Sequence, residues 1–180
     1  MKNITKRQRV WAVVVALILI MLLAIQFQPF ADEVQWNETV AFGVMFLIVG
    51  GAYELWQWLK TRNKLYCFAF IMGFFGVFLL GWVSGAVGII GSEDNSVNSM
   101  YWAVPIVGFI GSLLSRFKSH GMAYTLFVVA LIQFLVPVVA LIISPEVSWG
   151  NAGVVGVFIV NFIFAAIFAV SGLLFRKANI

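Results

Sequence analysis

Glu54 is the one charged side chain set inside an apolar run, Val40–Leu59, six residues before the next charge at Lys60. On a helix that separation is roughly 9 Å of rise. A carboxylate at such a depth can exchange a proton as its surroundings change, or hold a cation on a transport path. Gln57 lies one turn further along, and positions 43, 50, 54, 57 and 61 (Gly, Gly, Glu, Gln, Thr) share one small, polar helix face. The competing reading is structural, with the carboxyl group protonated or paired. Its expected partners are then Ser112 and Arg116 at the end of a later apolar segment, the arginine reaching upward along its stem.

A second group gathers in the most polar stretch between two hydrophobic segments: Ser92, Glu93, Asp94, Asn95 and Asn98. Hard oxygen donors in one loop suit a divalent cation or a polar external ligand. The spacing does not follow the alternating ligand pattern of a helix–loop–helix calcium site with its terminal glutamate, so no metal is assigned. The other reading is a solvated turn in which Asn95, Ser96 or Asn98 caps the helix that follows. Gln133 and Asn161, each a lone amide in a later apolar segment, read as hydrogen-bond partners between helices. His120 is the single histidine and Cys67 the single cysteine. No HExxH, phosphate loop, GxGxxG fingerprint or Ser/His/Asp set accompanies them, so no cofactor is implied and an enzyme is the least favoured class.

The elements that must position these residues follow from composition. The chain is 63% hydrophobic and 10% charged over 180 residues, with a mean hydropathy of +1.04. Soluble domains carry about 25% charged residues, so the reading is an all-helical membrane bundle. Six apolar segments predict its helices: Val10–Phe27, Val40–Leu59, Leu65–Ile90, Met100–Leu114, Met122–Ile143 and Val154–Phe175. The fourth is the shortest and holds Pro105, Gly108, Gly111 and Ser112; the fifth carries Pro137, which should bend it. Together they form one domain over residues 1–180 and leave no room for a soluble one. The N-terminus also has the outline of a signal peptide, with a small-residue site near Ala31. Its apolar core, at about 17 residues, exceeds the usual roughly 7–15, so a retained first helix is expected.

Charge placement sets the expected topology. The basic residues cluster at Lys2, Lys6, Arg7 and Arg9, at Lys60, Arg62 and Lys64, at Arg116 and Lys118, and at Arg176 and Lys177. Asp32, Glu33, Glu38, Glu93, Asp94 and Glu146 stand at the opposite ends of the segments. By the positive-inside rule both termini and both basic loops are cytoplasmic. The net charge of +4 is therefore topological, and nucleic acid is not an implied partner. Gly81, Gly85, Gly88 and Gly91 leave one face of the third helix without side chains up to Ile90. Neighbouring backbones can then approach closely, which makes that helix the expected packed centre of the bundle.

The run from Gly85 to Asn95, GAVGIIGSEDN, with Asn98 and Met100-Tyr101, resembles a signature of small, polytopic bacterial inner-membrane proteins without an established activity. Tyr53-Glu54-Leu55, Arg116-Phe117 and His120-Gly121-Met122-Ala123 are similar to further features of that family. Ser96-Val97 stand where the family has a proline at or near that place. The resemblance spans helices two to five and implies a multi-pass protein of the bacterial inner membrane; it carries no function over. Two functions stay open. One is a small transporter or permease-like protein using Glu54, with the loop around Glu93–Asn95 as its outer mouth. The other is a non-transporting accessory protein whose partners are the lipid bilayer and either itself or another membrane protein.

Overall fold

A computed structural model describes residues 5–26, 36–92, 94–144 and 148–178. The chain is 84% helical, and no strand occurs among the described residues. It divides into two compact units, Met1–Thr61 and Arg62–Ile180.

The first unit pairs α1 (Lys6–Gln26) with α2 (Trp36–Leu59). The start of α1 meets the end of α2, so the two run antiparallel: Gly50 lies against the Trp11 ring, where an added Cβ would sit 3.2 Å from the indole. Among the described side chains of this unit Val14 and Leu59 are buried, while Val13, Leu19 and Ile20 are exposed.

The second unit holds α3 (Lys64–Ala86), a 3-10 helix (Ser96–Trp102) running into α4 (Ala103–Leu114), α5 (Ser119–Ile143) and α6 (Gly153–Lys177). Its centre is the α5–α6 pair, with α3 packed on α6 and α4 on α5. This corrects the expectation that the third helix is the hub. The reason lies in the glycines. Gly81 and Gly85 have nothing within 4 Å of an added Cβ, and α3 stops at Ala86, so Gly88 and Gly91 stand beyond it with positive φ. Close approaches fall on other glycines. An added Cβ at Gly76 would lie 2.9 Å from the Phe168 ring, and one at Gly111 would lie 2.5 Å from Thr125. Gly172 meets Phe127 and the Ala123 carbonyl in the same way.

Polar contacts tie the two ends of this unit. Asn63 caps α3 by accepting from the Tyr66 N–H at 2.7 Å, and its side-chain amide donates to the Ala178 carbonyl that closes α6. The Tyr66 hydroxyl donates to the Phe117 carbonyl in the α4–α5 turn, and its ring stands edge-on to Phe175. Ser171 donates to the Ala69 carbonyl at 2.7 Å, joining α6 to α3. Helix α5 continues unbroken through the buried Pro137.

Among the described residues four helices are long and apolar enough to cross a membrane, all in the second unit: Lys64–Ala86, Ser96–Leu114, Ser119–Ile143 and Gly153–Lys177. The fourth predicted segment gains its length from the 3-10 turn, which starts four residues before the expected Met100. Outward faces are apolar: Phe74 is 60% exposed, Phe162 64% and Ile142 74%. Such surface needs lipid or another protein against it.

Candidate functional site

In the first unit the Glu54 carboxylate has two partners on α1. Its Oε1 accepts from Trp11 Nε1 at 2.6 Å and from Arg7 Nε at 2.7 Å. Arg7 and Trp11 are four residues apart and so lie on one face of α1, opposite the small face of α2 at Gly50. Glycine at position 50 lets the indole come close enough to reach the acid one turn away. Three residues therefore form one clamp: a charge, its counter-charge and an indole N–H. The Arg7 side chain is 70% exposed and that of Glu54 26%. The signal for these partners was in the sequence as the Arg7/Trp11 spacing, but nothing local tied it to position 54. Gln57 makes no hydrogen bond among the described residues.

Ser112 and Arg116, expected to hold Glu54, belong to the second unit and have local engagements there. The Ser112 hydroxyl donates to the Gly108 carbonyl one turn back in α4. Arg116 and Phe117 both adopt positive φ in the tight turn into α5, with their N–H groups bonded to the Leu113 and Ser112 carbonyls.

At the other end of that unit, the loop of interest is folded by its asparagines. Helix α3 closes with the Val87 and Gly88 N–H groups on the Val83 carbonyl, Gly88 taking the left-handed conformation that ends many helices. Asn98, 6% exposed, accepts from the Ile89 and Ile90 N–H groups and donates to the Ile90 and Ser92 carbonyls, the last at 2.7 Å. Asn95 accepts from the Val97 N–H, capping the 3-10 helix, and donates to the Ile90 carbonyl. The Asn98 amide oxygen thus has both acceptor sites taken by backbone N–H groups, and the Asn95 amide oxygen has one. The capping alternative holds for Asn95, while Asn98 reaches back to hold Ile89 and Ile90 inward. Gly91, at φ +77°, has no room for a side chain, because a Cβ would run into the Ser148 carbonyl. Glu93 lies outside the described residues, as do Asp32, Glu33 and Glu146.

Between α3 and this loop is a cleft of about 340 Å³. Leu80, Gly81, Ser84 and Gly85 of α3 make one wall; Asp94, Asn95, Ser96, Asn98 and Ser99 make the other, and Tyr101, Trp102 and Pro105 close its lower end. Two of the four glycines expected to pack helices, Gly81 and Gly85, are therefore part of the wall of an opening. Ser92 faces away from it, into a depression shared with Ser148, Gly150 and Asn151. Beneath the cleft runs a buried polar chain. Gln133 donates to Asn161 at 2.8 Å, and Asn161 donates to the Tyr101 hydroxyl at 2.9 Å and to the Val157 carbonyl. Both amides bond between helices, as expected; that they bond to each other, with Tyr101 as a third member, was not foreseen. Gln133 Oε1 is buried without a partner.

Among the described residues no group of three or more metal-ligating side chains converges. Compared with family models, with curated proteins and with solved structures, the chain finds no match in any of the three, so its site is read from its own geometry.

Proposed function

We propose that this chain is a six-crossing membrane protein with both termini cytoplasmic, working by binding and not by transport. Helices α1 and α2 join the four apolar spans: at 21 and 24 residues each is about the length a bilayer core requires. The alternation of basic and acidic ends supports this count, and the resemblance above points to the bacterial inner membrane. The observation that carries the choice is the clamp on Glu54. A carboxylate that passes protons or cations must change partners, whereas this one is fixed by a guanidinium and an indole on the neighbouring helix. In the second unit Gln133, Asn161 and Tyr101 are likewise bonded in a chain, and Ser171 is bonded to the Ala69 carbonyl. What remains open to a ligand is the cleft around Ser84, Asp94 and Ser99.

The test is a proton-flux measurement on purified protein in liposomes under an imposed pH gradient, with Glu54→Gln alongside. No current above empty liposomes is expected for either. A current carried by the wild type and lost in the variant would restore the transporter and remove this reading. Topology is checked by cysteine labelling, with residues 92–98 expected on the side opposite residues 60–64.

A further inference from the structure

We propose that the cleft between α3 and the 94–102 segment binds the primary ammonium head of an amphiphile, with its apolar body lying along Leu80, Trp102 and Pro105. The inference rests on the outward placement of this segment argued above.

The lining sets the sign of the ligand. Asp94 is exposed and lines the cleft, and among the described residues no basic side chain lines it. An anion would meet a carboxylate with nothing to offset it; a cation meets its counter-charge. Among the described residues Asp94 has no ion pair or hydrogen bond, so its carboxylate is open to a partner from outside. The lining also sets the kind of cation. Ser84, Ser96 and Ser99 add hydroxyl oxygens, while the asparagine amides are engaged with backbone. Several separate acceptors around one space match a group with several N–H donors, which a primary ammonium has and a quaternary one lacks. The Trp102 indole offers a π face that attracts cations. Elsewhere the lining turns apolar at Leu80, Trp102 and Pro105, and Trp102 is exposed at the surface. A head group that enters from the lipid side can therefore keep its tail in lipid. Two bare glycines, Gly81 and Gly85, give the stem its room.

An aminophospholipid and a free long-chain amine present the same head, and the experiment separates them. The full chain carries Cys67→Ser and Ser99→Cys, and the rate of modification by a membrane-impermeant maleimide is read. Decylammonium is expected to slow labelling about tenfold when added at about ten times its Kd, and Asp94→Asn is expected to abolish the protection. Decyl sulfate and decanol are expected to leave the rate unchanged. In phosphatidylcholine nanodiscs doped with phosphatidylethanolamine, protection that Asp94→Asn removes identifies the lipid as the source. Protection by decylammonium alone identifies a free amine. Equal protection by decanol or decyl sulfate, or none by either amine, overturns the proposal. Labelling of intact cells reports the topology separately. If the cysteine is shielded there yet the amine protects it in detergent, the outward placement fails and the cleft's ligand stands.

Discussion

Replacing Asn161 should weaken the protein far more than replacing Gln133, although both are fully buried and both belong to one hydrogen-bonded chain. Asn161→Leu removes two interhelical bonds, to Gln133 and to Tyr101, and one to the Val157 carbonyl in its own helix. Hydrogen bonds between membrane helices are worth on average ~0.6 kcal/mol and at most ~1.7 each. Two of them, with the Tyr101 hydroxyl and the Gln133 amide left unpaired, put the loss at about 1–3 kcal/mol. Gln133→Met removes one of these bonds and leaves Asn161 Oδ1 bare. It also removes Gln133 Oε1, which is already buried without a partner and whose desolvation costs about 1–3 kcal/mol. The two effects offset each other, so the expected change is below about 1 kcal/mol. Reversible unfolding of the purified protein in mixed micelles against increasing denaturing detergent measures both. The double variant should lose less than the sum of the singles, by about 0.5–1.5 kcal/mol. Additivity within about 0.3 kcal/mol, or a larger loss at Gln133 than at Asn161, would refute the bonded chain and the orphaned oxygen.

The remaining expectations concern glycines and the loop. Gly76→Ala should destabilise by about 1–3 kcal/mol, because the Phe168 ring it meets is fully buried and cannot give way; Gly85→Ala, with open space around it, should be neutral or stabilising by up to ~1 kcal/mol. A thermal unfolding series in detergent ranks the pair, and the reverse order would return helix packing to Gly85. Gly91→Ala should lower the unfolding temperature through its left-handed backbone, worth about 1–2 kcal/mol, and further through its collision with the Ser148 carbonyl. Asn98→Ala strands the two buried N–H groups of Ile89 and Ile90, while the Ile90 and Ser92 carbonyls keep the Asn95 side-chain and backbone N–H donors; Asn98→Asp keeps the acceptor. Hydrogen exchange at residues 87–92 should therefore rise most in the alanine variant and less in the aspartate one.

The class of fold and most helix positions follow from the sequence alone, because both rest on properties that add up along the chain. A run such as Leu65 to Ala86 is apolar whatever surrounds it, and a helix is the structure that satisfies its backbone without water. That Gln133 and Asn161 bond between helices was also foreseeable, since a lone amide in an apolar helix has few other partners. The end of α3 was less so. Gly88 and Gly91 can extend a bare helix face or take a left-handed turn, and the second won because Asn98 bonds the Ile89 and Ile90 backbone only in the turned form. Tertiary structure alone decided the partner of Glu54. A carboxylate pairs with whichever donor is brought within about 3 Å, and that depends on which helix Gly50 lets approach; it was the one carrying Arg7 and Trp11. The cleft has the same origin, as empty space is a property of walls that meet from different parts of the chain and no single stretch of residues encodes it.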